Sequence, residues 1–476
     1  MRLASVLSFM TAAAAALDVD LDSPDSIKAA AKKIAWELMS YYHGNESGQT
    51  PGILPGPPPA GDYYWWEAGA LWGTMMDYYH FTNDSTYNNV TTTAMLFQAE
   101  GPCFCYMPKN WTASLGNDDQ GFWGLSAMLA AENKFPDPPP DEPQWLSLAQ
   151  AVFNTQASPD RHDDTCGGGL RWQIPPTNNG YNYKNSIANG IFFNMGARLA
   201  RYTRNQTYFD WAKKTWDWEV GVGFMDKDYN VYDGGDIDAN CTDLHKAQFS
   251  YNAAVWMQGA AFMYNYTNGS AEWQERVAGI VNRTINLFFS TGAAVELPCE
   301  LKDKNTCKTD MYAFKGFLHR WMANTAKMAP FTHDTIMPVL KKSAAGAMKA
   351  CSGPPTGYTC GFRWNTGTYD GSTGAGQEMS ALAALLSLLV DEPGAAAPVT
   401  NFTGGTSKGN NDAGSQPVSF TGFGPVTTRD RAGAGILTAL VLAGLLGTLA
   451  WMTFGWAENG SGSRKWKVDG KRSMMG

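Results

Sequence analysis

The sequence predicts an all-α fold: an (α/α)6 barrel, a toroid of six inner and six outer helices, with a C-terminal stalk and a single hydrophobic anchor segment. Three observations predict it. Strand signals are few across residues 17–390, where helical periodicity and breakers mark twelve segments in a helix–loop–helix rhythm. The segments alternate between two kinds. Odd ones are amphipathic and charged, as in SPDSIKAAAKKIAWELMSYY and SAEWQERVAGIVNRTINLFF. Even ones, such as WEAGALWGTMMDYYHF and AQFSYNAAVWMQGAAFMYNY, carry Gly, Ala and aromatics around most of their circumference. A helix apolar on all sides is buried, and one with a polar face lies outside. The pattern also recurs weakly at roughly 60 residues, the length of a repeated helical hairpin. An open solenoid or a two-domain helical protein is the competing architecture.

Taken in order, the chain starts with Met1, Arg2 and a short apolar stretch, Leu3–Ala16, that ends in alanines. That is the layout of a signal peptide over residues 1–16. At about 14 residues it is short for a bilayer span; a buried first helix is the alternative. The helical segments fall at 23–42, 67–81, 85–98, 118–133, 142–156, 186–203, 206–221, 247–266, 270–290, 310–327, 334–351 and 375–389. Loops entering the inner segments surround one mouth of the ring, the natural place for a ligand cleft. Three unusual stretches fall there: YYWW at 63–66, GNDDQ at 116–120 and YNYKNS at 181–186.

Residues 391–433 are rich in Gly, Ser, Thr, Asn and Pro without hydrophobic periodicity, and read as a flexible stalk. Ala434–Phe454 then runs 21 residues without a charge, enough for a transmembrane helix. Arg464, Lys465, Lys467, Lys471 and Arg472 in the tail 455–476 place that tail in the cytosol and the barrel outside. A GPI signal cleaved within 412–433 is the alternative anchor. Both readings put the barrel on the secretory route, at the cell surface.

Composition agrees with secretion. The eight Cys lack C-x-x-C or zinc spacing, so an oxidising compartment pairs them as disulfides. Cys299 with Cys307 and Cys351 with Cys360 close short loops; the other pairings are open. Ten Asn-x-Ser/Thr acceptors precede residue 402: Asn45, Asn83, Asn89, Asn110, Asn205, Asn240, Asn265, Asn268, Asn282 and Asn401. A net charge of −8 excludes a generally basic nucleic-acid binder. The 18 Trp, 20 Tyr and 23 Phe serve either a Trp-rich core or a sugar cleft, where an indole stacks on the apolar face of a pyranose.

The carboxylates carry the chemistry. Asp118 and Asp119 open the second inner segment, in SLGNDDQGFWGLSAMLA. Aspartates at a helix start ordinarily cap it. Here they are followed by Gly121, Phe122, Trp123 and Gly124 and lie at the expected mouth. Neighbouring carboxylates can splay to the about 5–5.5 Å that a retaining glycosidase needs, and two partly desolvated like charges raise the pKa of one. Trp65, Trp66 and Trp123 are the aromatics expected in or beside the cleft, with Trp123 alternatively between inner helices. Lys184 and Asn185 open the third inner segment, placed to bond sugar hydroxyls or orient an aspartate; Asn189 is a core amide. Asp233 and Asp236, in YDGGDIDANCTD, are read as sugar contacts or loop caps. Counting from Asp233, position twelve is Leu244, where a calcium loop needs Glu, so no metal site is assigned. Asp163–Asp164 has no visible partner. No H-E-x-x-H or Walker loop occurs.

GNDDQGFWGLSAMLAAE, GGGLRWQI, NYKNSIANGIFF, YDGGDID with FSYNAAVWMQGA, and GFLHRWMA occur in one order over residues 20–390. Together they resemble glycoside hydrolase family 76, and in particular its fungal cell-wall mannan endo-1,6-α-mannosidases. The resemblance implies an (α/α)6 barrel and retaining hydrolysis of α-1,6-mannosidic bonds. It implies Asp118 as nucleophile and Asp119 as general acid/base, with no metal or organic cofactor. It also implies action on mannan or the mannose-containing GPI glycan. Transfer in place of hydrolysis uses the same covalent intermediate, with wall glucan as a candidate acceptor. Two other functions compete: a catalytically silent glycan-binding, wall-organising protein on a hydrolase barrel, and an inverting enzyme pairing Asp118 with Asp236.

Overall fold

Every inner helix begins at one mouth of a ring and ends at the other. The computed structural model describes residues 17–101, 103–108, 115–301, 304–415 and 428–458, and the chain divides into two units at residue 419. In the first unit twelve α-helices are described: α1 (Pro24–Met39), α2 (Trp65–Thr82), α3 (Asn88–Ala99), α4 (Asn117–Glu132), α5 (Trp145–Gln156), α6 (Ser186–Thr203), α7 (Gln206–Val222), α8 (Ser250–Tyr266), α9 (Ala271–Phe288), α10 (Phe314–Met328), α11 (His333–Ala350) and α12 (Ala375–Leu386). They coincide with the twelve expected segments, with ends displaced by about four residues at most.

The even helices are the inner ring. Each packs on the next, and α12 returns to α2. All six line a narrow axial cavity toward their C-terminal ends, through Thr74, Ser126, Arg198, Gln258, Arg320 and Leu386. The barrel is therefore closed and is not an open solenoid. Composition explains the layering. In α4 every side chain from Gln120 to Glu132 is buried. In α9 only the stripe Trp273, Val277, Ile280, Val281, Thr284 and Phe288 is buried, the spacing of one helical face. Gly69 lets α2 approach α4, since a Cβ there would lie 2.8 Å from the Trp123 ring. Two ion pairs are buried between inner helices: Arg198 to Glu132 at 2.7 Å and Arg320 to Asp77 at 2.6 Å.

The helix starts are fixed locally. Ser23, Asn185, Asn205 and Ser270 accept a backbone N–H at the N-termini of α1, α6, α7 and α9. At the mouth, β1 (Tyr183–Asn185), β2 (Gly234–Asp236) and β3 (Leu244–His245) form a small antiparallel sheet in the order β1-β2-β3. Lys184 stands opposite Gly235, and Gly234 opposite His245. Two hairpins complete the unit: β4 (Glu300–Leu301) with β5 (Lys304–Asn305), and β6 (Cys351–Gly353) with β7 (Thr359–Cys360). The disulfides are Cys299–Cys307 and Cys351–Cys360, as their spacing predicts, with Cys103–Cys105 and Cys166–Cys241. Cys166–Cys241 ties the loop before β1 to the β2–β3 turn.

The expected stalk needs correction over residues 391–415. This part lies against the barrel. Val399 N–H donates to the Glu132 carbonyl and Asn401 N–H to the Tyr202 carbonyl. Ser407 Oγ accepts the Leu146 N–H at the start of α5, while Asn154 Nδ2 donates to the Asn411 and Ala413 carbonyls. Small polar residues meet the unsatisfied groups of helix ends here, an attachment that leaves no periodic signature. Residues 416–427, the segment 1–16 expected to be a signal peptide, and the basic stretch from 459 lie outside the described residues. The second unit holds α13 (Thr428–Glu458), in which Arg431–Thr453 is long and apolar enough to cross a membrane and has no buried residues in its apolar window.

Candidate active site

Asp118 and Asp119 are the second and third residues of α4. Backbone hydrogen bonds hold both. Asp118 Oδ1 accepts the Asp119 N–H at 3.0 Å, and Asp119 Oδ2 accepts the Gly116 N–H at 2.6 Å. A Cβ on Gly116 would lie 2.3 Å from Asp118 Oδ1 and 2.7 Å from Asp119 Oδ2. Those two oxygens are thus no more than about 5 Å apart, short of the about 6.5–9.5 Å of an inverting pair. The next residue, Asn117, pins the helix start: its N–H and Nδ2 donate to the carbonyls of Trp172 and Arg171, and its Oδ1 accepts from Arg161.

The pair lies on the wall of a cleft of about 670 Å³. Beside the pair, the cleft is lined by Tyr64, Trp66, Phe122, Trp172, Gln173, Asn178, Asn179, Tyr183, Asn185, Asp233, Phe249, Tyr251, Asp310, Met311 and Phe314. The lining has four aspartates and no Lys, Arg or His among the described residues. Electrostatics follow from that. Burial pushes Asp118 well above the usual carboxylate range, with the Asp119 charge adding to it and the Asp119 N–H and Asn185 opposing it. Burial pushes Asp119 up to about 7, against its bond from Gly116 and with a further push from Asp310. Both groups open onto the cleft but are crowded by protein on every other side. Burial likewise raises Asp233 and Asp310.

The structure brings together only part of the predicted set. Asp118, Asp119, Trp66, Asn185 and Asp233 line the cleft. Asp233 accepts the Tyr183 hydroxyl at 2.7 Å. Trp123 does not line it. It is fully buried, stacked on Trp65 at 5.1 Å and on Tyr106 at 5.3 Å. One residue turns a helix by about 100°, so Phe122 takes the cleft position. Trp65 faces away for the same reason and donates its indole N–H to Gln98. Lys184 is also fully buried. Strand alternation sends Tyr183 and Asn185 to the cleft and Lys184 to the opposite face. There its Nζ bonds Asp163 Oδ1 and the carbonyls of Thr165, Gly168 and Gly169. Asp163, which looked unpartnered, is held by Lys184 and Arg171 and lies well below the usual carboxylate range. Asp236 is exposed and caps a turn through the Asp238 N–H; it does not line the cleft, so it supplies no partner to Asp118.

Sequence reasoning missed Asp310, Tyr251 and Trp172. Tyr251 is the second residue of α8, as Asp118 is of α4, and Asp310 precedes α10 by four residues. Asp310 opens the expected 310–327 segment as Asp118 opens 118–133, and that was the available signal.

Comparison with known proteins extends these observations. The model of Glycosyl hydrolase family 76 matches residues 26–401. The chain is 45% identical over 452 residues to mannan endo-1,6-alpha-mannosidase DCW1 of Saccharomyces cerevisiae, covering 94% of this chain and 97% of that protein. A crystal structure of Dfg5 from Chaetomium thermophilum in complex with glucosamine superposes with a TM-score of 0.80 at 55% identity, covering 83% of this chain and 97% of that one. The fold alone is shared with an alpha-1,6-mannanase of Salegentibacter sp., at a TM-score of 0.59 and 16% identity over 76% of this chain and 98% of that one. A family match over most of the chain, on a closed helical barrel with paired aspartates at its mouth, makes this chain a glycoside hydrolase and a member of glycosyl hydrolase family 76.

Proposed function

We propose that the chain is a surface-anchored, retaining endo-α-1,6-mannosidase or transglycosylase of the fungal cell wall, acting on mannan or GPI-type glycans. The observation that carries this reading is the Asp118–Asp119 pair within about 5 Å at the cleft. In the first step Asp118 attacks the anomeric carbon. The glycosidic C–O bond breaks, and the Asp119 proton passes to the departing oxygen. In the second step Asp119, now a carboxylate, takes a proton from water or a sugar hydroxyl. That oxygen attacks the anomeric carbon and Asp118 leaves. Burial pushes both aspartates upward. Positive charge developing at the anomeric carbon favours ionisation of the group that faces it, which leaves the proton on Asp119.

The identity to mannan endo-1,6-alpha-mannosidases supports the substrate class. Mass spectrometry of products from α-1,6-mannan oligosaccharides, with and without a glucan acceptor, tests the reading. Shortened mannan indicates hydrolysis, mannose–glucan hybrids indicate transfer, and unchanged substrate would overturn it. Arg431–Thr453 supports membrane attachment. We read it as a single-pass anchor, with GPI attachment as the rival. An epitope placed after Gly476 persists in the mature protein only with the single-pass anchor, whereas phospholipase C releases only the GPI form.

A further inference from the structure

We propose that the axial cavity, at the end of the barrel remote from the aspartate pair, is an anion-binding site that takes one small monovalent anion, a halide or a short carboxylate.

The cavity is separate from the cleft and much smaller. It measures about 60 Å³, room for a small ion or a few water molecules. Aromatic rings divide the two spaces. Trp66 and Phe122 line the cleft, and Phe122 and Phe317 line the cavity. Trp66 packs on Phe122 at 4.4 Å, and Phe122 on Phe317 at 5.1 Å. Below this plug, Arg320, Asn324 and Lys327 form one stripe down α10 at helical spacing. Arg198 from α6 and Gln258 from α8 join them in the lining.

Charge is unbalanced there. Arg198 pairs with Glu132 and Arg320 with Asp77. Lys327 has no ion pair among the described residues; its Nζ donates to the Val390 carbonyl at 2.9 Å. Three cations thus meet two carboxylates, and one positive charge is left over. His80 also lines the cavity, but burial lowers it against the Asp77 charge, so it adds no cation at neutral pH.

Hydrogen bonding is one-sided as well. The acceptors are taken. Asp77 Oδ1 accepts from Asn133 and Oδ2 from Arg320, and Gln258 Oε1 accepts from Asn194. Arg198 gives both its Nε and Nη2 bonds to Glu132 Oε2, at 2.9 and 2.7 Å. Glu132 itself is not in the lining. The donors are in surplus. Arg198 Nη1, Arg320 Nη2, Gln258 Nε2 and Asn324 Nδ2 have no acceptor among the described residues. Lys327 has further N–H groups beyond the one given to Val390. Arg198 is 2% exposed, so bulk water does not solvate its outer edge, and a buried charged donor without a partner is costly. Water would supply an acceptor only. An anion supplies the acceptor and cancels the leftover charge. Bound there, it joins α6, α8 and α10 and, through Lys327, the turn that follows α12.

The test is thermal unfolding of the full-length protein at neutral pH and constant ionic strength, exchanging sodium gluconate for sodium chloride or sodium formate. Lys327→Arg keeps the leftover charge; Lys327→Met removes it and keeps the stem. In the wild type and Lys327→Arg the midpoint should rise with the logarithm of anion concentration. Lys327→Met should need about tenfold more anion for the same rise. Comparing variants in the same salts cancels bulk salt effects. A rise with chloride alone assigns a halide, and a rise with both assigns the wider class of small anions. An equal response in Lys327→Met and wild type, or no response in either, would overturn the site. Bromide-soaked crystals of the wild type decide the matter if Lys327→Met does not fold. An anomalous peak between Arg198 and Lys327 is expected, and ordered water alone at that place would overturn the proposal.

Discussion

The backbone N–H of Gly116 holds Oδ2 of Asp119 at 2.6 Å, and the space where a Gly116 side chain would stand is occupied by the carboxylates of both Asp118 and Asp119. A methyl group there cannot coexist with Asp118 Oδ1 at 2.3 Å. Gly116→Ala should therefore displace the pair while leaving the barrel folded. We expect a fall in kcat of about 100-fold, the scale of a small misplacement of reacting groups. The thermal midpoint should change little. Steady-state kinetics and thermal unfolding of one preparation check this, and turnover within about threefold of wild type would refute it.

Asp118→Asn and Asp119→Asn should fail differently. An amide cannot form the glycosyl ester, so the first variant should lose several orders of magnitude in rate yet still bind mannan. The second loses proton transfer, worth about 10²–10⁴-fold. On a substrate with a good leaving group its first step should be nearly normal, and added azide should accelerate its second. Equal impairment of that first step on activated and natural substrates would reverse the assigned roles.

The Asp310 charge predicts a pH effect. It helps to hold Asp119 up at about 7, and the acid form is the one that protonates the leaving oxygen. Activity on natural substrate should fall as pH rises through about 7. Asp310→Asn removes a nearby negative charge, so Asp119 ionises at lower pH and the alkaline limb should move acidward. A pH–kcat/KM profile with an unmoved or alkaline-shifted limb would contradict the coupling.

Trp123→Ala should act on stability. The indole is fully buried between Trp65 and Tyr106, and losing such a ring costs about 3–5 kcal/mol. Unfolding should show that loss, while kcat and KM per folded molecule stay near wild type. A variant of normal stability with a raised KM would return Trp123 to the cleft.

These residues show what was legible in the sequence. Helical periodicity and burial pattern are local, so the alternation of inner and outer helices and the placing of Asp118 and Asp119 at a helix start could be read. The facing of single residues could not. Trp65 and Trp66 are adjacent and equally aromatic, yet the helix turns one to Gln98 and the other to the cleft. Lys184 looks like a ligand contact until strand alternation sends it to the 163–169 loop. Asp310 is 191 positions from Asp119 along the chain, and only ring closure brings their charges together. The 391–415 segment was misjudged because its attachment uses side-chain amides and carbonyls without any repeat.

That segment also determines how the barrel bears load. After α12 the chain does not leave at the seam where the last inner helix meets the first. It crosses to Glu132 and Tyr202 and then runs along α5, fastened at Leu146, Gln150 and Asn154. A pull applied beyond Ser415 is met first by the Asn154 bonds to Asn411 and Ala413 and the Gln150 bonds to Asn410 and Asn411. Tension is thus shed into an outer helix before it reaches α12. The strap thus acts as a strain relief for the chain that follows it. The ring, and with it the spacing of the two aspartates, lies behind those bonds.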